Sequence, residues 1–192
     1  MLRVNRCWVL VALLLSACTH APLRPAAAPA LTGEAFALNG RIAVLHRGER
    51  STVSVRWVHQ PDGDDILLLA PLGLTVAHLQ RNAAGVMLEA RGQQYQEQNT
   101  EDLMDRVIGW HLPLDELHNW VRAQPYPATP FSAARNPQQQ LAELQQDGWT
   151  VRYSRYADGS PASLPQRLWF RHDDMELNLL IDEWEALPPA EK

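Results

Sequence analysis

The side chains able to do chemistry are few and widely separated. Cys7 and Cys18 are the only thiols in 192 residues, and both fall within the first eighteen positions. The body of the chain therefore holds no disulfide framework and no thiolate metal site. His111 and His118 stand seven apart around a predicted short helix. No third ligand lies at a recognisable metal spacing, so the two read as surface or capping histidines. Asp62, Asp64 and Asp65 cluster as in a calcium loop, but the bidentate glutamate that closes such a loop is missing at the right offset. They read as a solvated turn, and so do Asp173 and Asp174. Nucleophile-elbow, phosphate-loop, zinc-protease and dinucleotide signatures are all missing. The chain calls for no cofactor and no metal, and no residue is nominated as catalytic. An enzyme would have to assemble its residues from distant strands.

One thiol has a context that implies chemistry. Arg3 and Arg6 precede the apolar run Cys7 to Leu15, which has the length and flanking charge of a signal-peptide core. Leu15-Ser16-Ala17-Cys18 follows and resembles the lipobox of bacterial lipoproteins. Small residues let a protease reach the backbone, and the Cys18 thiol is the nucleophile for diacylglycerol attachment. The alternative is a plain secretory signal with an incidental cysteine. On the lipobox reading residues 1–17 are the signal peptide and Cys18 is the acylated N-terminus. At about 0.8 kcal/mol per buried methylene, several acyl chains anchor permanently. Thr19 stands where inner-membrane lipoproteins typically carry Asp, which favours the outer membrane.

Composition narrows the classes further. Hydrophobic residues make up 46% and charged residues 20%, a globular balance. With 17 Lys and Arg against 22 Asp and Glu the net charge is −5, so a nucleic-acid partner is excluded for want of a cationic footprint. No apolar run reaches the ~20 residues of a spanning helix. Residues 18–35 are rich in Pro and Ala beyond the lipidation site and read as a tether. The folded domain is expected over residues 36–185, with a tail at 186–192.

That domain must be built mainly from strands. Phe36, Leu38, Gly40, Ile42 and Val44 alternate with their neighbours, as do Val53, Val55 and Trp57. Pro61-Asp62-Gly63-Asp64 turns the chain into the run Ile66 to Ala70, and strands resume at Leu74–Gln80, Val86–Arg91 and Gln93–Gln98. The period then changes. Asn99 or Thr100 caps a short helix through Ile108, with Gly109 at its end. Pro113 opens a second helix with Leu114, Leu117 and Val121 on one face and Trp120 beside it. Pro125, Pro127 and Pro130 then oppose regular structure. Asp147-Gly148 is a two-residue hairpin signal, although the arm before it, Gln139 to Gln146, is rich in helix formers. Met175, Leu177, Leu179 and Ile181 close the pattern. About ten antiparallel strands result, with helices inserted before the last three or four, and the economical packing curls the sheet around those helices.

The turn Pro71-Leu72-Gly73 is unusual because turns are seldom apolar. Leu72 either folds back onto the core or is presented outward on a rigid tip, where it could touch lipid.

Taken in order, several segments resemble the LolB family of outer-membrane lipoproteins. They are Phe36-x-Leu-x-Gly40-Arg41-Ile42-Ala43, Trp57, Leu68-Leu69-Ala-Pro71-Leu72-Gly73, Gly109-Trp-His-Leu-Pro113 through Trp120, Gly148-Trp149 through Tyr153, and Leu164-Pro165-Gln-Arg167-Leu168 with the closing strand to Trp184. Arg122-Ala123-Gln124-Pro125 departs from the glycine-containing turn expected after the Trp120 helix. The resemblance implies an open, incomplete antiparallel β-barrel of about eleven strands with a short-helix lid over a hydrophobic cavity. It implies a non-enzymatic chaperone and receptor that accepts lipoproteins from a LolA-type periplasmic carrier and inserts them into the outer membrane. Its partners would be that carrier, lipoprotein acyl chains and outer-membrane lipid, and it would act as a monomer. Pro71, Leu72 and Gly73 would form the membrane-insertion loop. Val53, Val55, Trp57, Leu67, Leu69, Val86, Leu88, Leu177 and Leu179 are candidates for the cavity wall, with plain core packing as the alternative for each. A lipid-anchored protein binding another hydrophobic ligand, or a lipoprotein enzyme, are the competing readings.

Overall fold

A computed structural model describes Leu31, residues 34–107 and residues 113–188. Cys18, the signal segment, most of the tether, Ile108, Gly109 and His111 lie outside the described residues.

The alternating segments form eleven strands: β1 (Phe36–His46), β2 (Glu49–Gln60), β3 (Gly63–Leu69), β4 (Thr75–Asn82), β5 (Gly85–Ala90), β6 (Gln93–Glu97), β7 (Phe131–Arg135), β8 (Leu141–Gln146), β9 (Trp149–Tyr156), β10 (Pro165–His172) and β11 (Met175–Ala186). They make one sheet in the order β6-β5-β4-β3-β2-β1-β11-β10-β9-β8-β7. Every pairing is antiparallel, and β6 and β7 are left as unjoined edges. The barrel is open. Between the edges the chain inserts helices α1 (Thr100–Val107) and α2 (Leu114–Trp120).

Five strands follow the helices, more than the three or four expected. The unforeseen one is β7, which is exposed along its whole length on a sheet edge and begins directly after Pro130. An edge strand needs only one hydrogen-bonded neighbour and no apolar face, so it leaves little periodic signal. Leu141–Gln146 is a strand despite its helix formers, because Leu144 and Gln146 are buried and both edges are paired. Tertiary pairing overrides propensity here.

The first and last strands meet where β1 pairs with β11, and a register shift at Asn39/Gly40 bends that pair. Gly40 is required there, since a Cβ would sit 2.4 Å from the Leu180 carbonyl oxygen. Phe36 packs edge-on against Trp57 and Trp184, each at 5.4 Å between ring centres. Asn99 caps α1 by accepting the Asp102 amide at 2.8 Å. After α2 the Gln124 amide returns to the Asn119 carbonyl and Ala123 adopts φ +58°. That is the left-handed turn glycine usually makes, so Ala123 holds the backbone geometry that the missing glycine would have supplied.

Candidate functional site

The concave face of the sheet and the undersides of both helices enclose an apolar cavity of about 140 Å³. Of the candidates, Val53, Val55, Trp57, Leu88, Leu177 and Leu179 line it, while α1 contributes Met104 and α2 contributes Leu114 and Leu117. Leu67 and Leu69 do not. Ile66 and Leu68 take their place, because β2 pairs Trp57 with Ile66 and Val55 with Leu68. Directly paired residues point to the same face, so Leu67 and Leu69 point to the outer surface. The signal was available in the two-residue connection after Gln60, which sets this register. Val86 is buried but lies opposite Arg81, past the end of the cavity, and does not line it.

Trp57, which lines the cavity, also belongs to a buried polar cluster centred on Asp64, one of the three aspartates expected in a solvated turn. Asp62 is exposed, as a turn residue should be, and Asp65 faces outward to His78 and Gln80. Asp64 is different: its side chain is fully buried. Strand β3 starts at Gly63, so Asp64 is already a strand residue with inward parity. Its carboxylate accepts hydrogen bonds from Trp57 Nε1 at 2.8 Å and His59 Nδ1 at 2.7 Å, and from the Arg81 guanidinium. Burial alone would raise the Asp64 pKa. The hydrogen bonds from His59 and Trp57 and the Arg81 charge outweigh it and hold the carboxyl below its ordinary value. In the sequence, His59 continuing the inward series Val53, Val55, Trp57 was the clue that a buried partner must exist.

The cluster reaches the helices. Arg81 also pairs with Asp115 of α2. The His118 ring of α2 stacks on His59 with centres 4.5 Å apart and planes 12° apart. His118 is therefore a half-buried packing residue and not a free surface or capping histidine. Its pKa is pushed down to about 4 by burial, with His59 and Arg122 adding to the shift. At neutral pH its imidazole is uncharged.

From the outward end of β3 the chain enters the turn Pro71–Gly73. Leu72 is 100% exposed there, with φ +75°, and Leu74 and Val76 beside it are exposed as well. A leucine held outward in the left-handed region is costly on both counts, since it forgoes burial and strains its backbone.

A family model described as outer membrane lipoprotein LolB matches residues 34–184, from just before β1 to near the end of β11. The chain belongs to the LolB family. An outer-membrane lipoprotein LolB of Nitrosomonas europaea is 36% identical over 81% of this chain and 75% of that protein. One of an Azoarcus species is 34% identical over 91% of both chains. Among solved structures, a DUF1329 family protein of Desulfovibrio piger shares the fold at TM-score 0.51 and 6% identity, over 83% of this chain and 88% of that one. As a LolB-family member the chain is a lipid-anchored outer-membrane protein of lipoprotein localization.

Proposed function

We propose that this protein takes the acyl chains of lipoproteins from a LolA-type carrier into the apolar cavity and passes them to the outer membrane beside the Leu72 turn. The observation that carries this is the double role of β3. Ile66 and Leu68 form part of the cavity wall, and within a few residues the same strand runs out into a fully exposed leucine. Cargo compartment and lipid-seeking tip are thus one continuous piece of chain.

Moving one acyl chain from lipid to water costs about 10 kcal/mol at about 0.8 per methylene, so an apolar wall must replace the bilayer during transfer. The cavity as it stands is close in size to one that admits a benzene-sized guest. Whole acyl chains need it to widen. Binding then selects a wider conformation, and the work comes from the apolar contacts made. Cys18 is the covalent anchor, residues 18–35 are the tether, residues 36–185 are the working domain, and the protein acts as a monomer without a chemical step.

The test places the lipidated protein in liposomes and adds a carrier loaded with a labelled lipoprotein. The label should leave the carrier and become membrane-bound. Label that stays on the carrier, from a protein that still binds a free fatty acid, would make this a binding protein for another hydrophobic ligand.

A further inference from the structure

The two ends of α2 are held to the sheet in different ways. At its C-terminal end Trp120 is fully buried, its indole Nε1 donates to Gln146 Oε1 at 2.9 Å, and its carbonyl accepts from the Tyr153 hydroxyl at 2.8 Å. Val121 beside it is fully buried too. Asp115, near the N-terminal end, is more than half exposed and is tied to the sheet by its ion pair with Arg81.

Arg81 is itself immobilised. Its Nε and Nη2 both donate to one oxygen of Asp64, which Trp57 and His59 hold from the other side. Its Nη1 is turned outward to Asp115. A buried ionic cluster of this kind seldom improves on well-packed apolar side chains for stability. What it supplies here is a rigid, charged docking point at the rim of an otherwise apolar chamber. Leu114 and Leu117 of the same helix roof the chamber, so lifting the Asp115 end uncovers it. Between the ends, the His118 ring lies flat on His59 and can part from it without breaking a hydrogen bond between the two.

We propose that α2 is a lid hinged at Trp120 and latched at Asp115 by Arg81, and that release of this ion pair opens the cavity to acyl chains. The proposal rests on the acyl-acceptor reading above and names the residues that control entry. Arg81 is a positioning residue, since it acts through Asp115 and does not line the cavity. Trp120 keeps its buried bonds in both states, which returns the helix to the same seat after release.

The experiment uses the full lipidated protein in liposomes, with two readouts. Asp115→Asn removes the latch charge and leaves the Asp64 cluster intact. Amide exchange within residues 114–120 should rise about two- to five-fold, the range for losing an exposed ion pair, with exchange in β1 and β11 unchanged. Acceptance from the loaded carrier should quicken by a similar factor. A second variant, Asn82→Cys with Asp115→Cys, is bridged by a short bismaleimide. Bridging should stop acceptance, while the same variant capped with N-ethylmaleimide accepts cargo. Acceptance at an undiminished rate by the bridged protein overturns the lid. If the wild type accepts no cargo, the acyl-acceptor reading falls, and exchange alone judges the latch: a rise confined to α2 upholds it, and no rise overturns it.

Discussion

Leu72→Gly should make the protein more stable and worse at its work. The side chain is 100% exposed, so its removal costs the fold no buried contact. Its backbone sits at φ +75°, a conformation costing a non-glycine residue about 1–2 kcal/mol. Glycine adopts it freely, against about 0.4–1 kcal/mol of extra chain entropy in the unfolded state. The net gain reaches about 1 kcal/mol, a Tm rise of about 2–4 °C in a domain of this size. On the membrane side the variant gives up the roughly 1.5–3 kcal/mol of burying one leucine. That lowers lipid engagement of the turn by about ten-fold or more. Leu72→Glu should melt near wild type, because an exposed position tolerates charge, yet block insertion, because its carboxylate must be desolvated to enter lipid. The assays are a thermal melt and carrier-to-liposome transfer with acceptance and insertion scored separately. A lower Tm for Leu72→Gly would refute the strain argument. Insertion at the wild-type rate by Leu72→Glu would refute a membrane-entering tip.

Asp64→Ala leaves Trp57, His59 and Arg81 without their common acceptor and should cost about 3–5 kcal/mol in a urea titration; a loss under about 1 kcal/mol would show that the cluster relaxes to water. His118, held near 4 against an ordinary 6.5, makes the folded state bind fewer protons than the unfolded one between those values. Its contribution is complete above about pH 6.5 and is lost as pH falls towards 4, so His118→Gln should flatten the Tm-against-pH curve over that window. Asp64 has the depressed carboxylate pattern, so its contribution is present at neutral pH and fades only below the ordinary carboxylate range. Gly40→Ala drives a Cβ to 2.4 Å from the Leu180 carbonyl oxygen and should cost about 1–3 kcal/mol as β1 and β11 are pushed apart; an unchanged Tm would mean that the bulge absorbs a methyl group.

Local chemistry was legible in the sequence wherever one residue decides its own neighbourhood. Period-two alternation marked β1, β2 and β11, the Asn99-Thr100 pair marked the start of α1 with Asn99 proving the cap, and Asp147-Gly148 marked a turn whose two residues both take positive φ. The order of family-like segments from Phe36 to Trp184 also gave the open eleven-stranded sheet, although β7 left no signal of its own. What depended on a partner across space was not legible. Ile66 to Leu69 is apolar throughout, so it has no period, and only its register with β2 decides that Ile66 and Leu68 face the cavity. Asp64 looks like any turn aspartate until Trp57, His59 and Arg81 close around it from two other strands. Leu72 could point either way by pattern, and among the described residues nothing stands opposite it to bury it. Alternation states that a strand has two unlike faces; which face is enclosed, and which polar group finds enough partners to be buried, is settled only when distant strands meet.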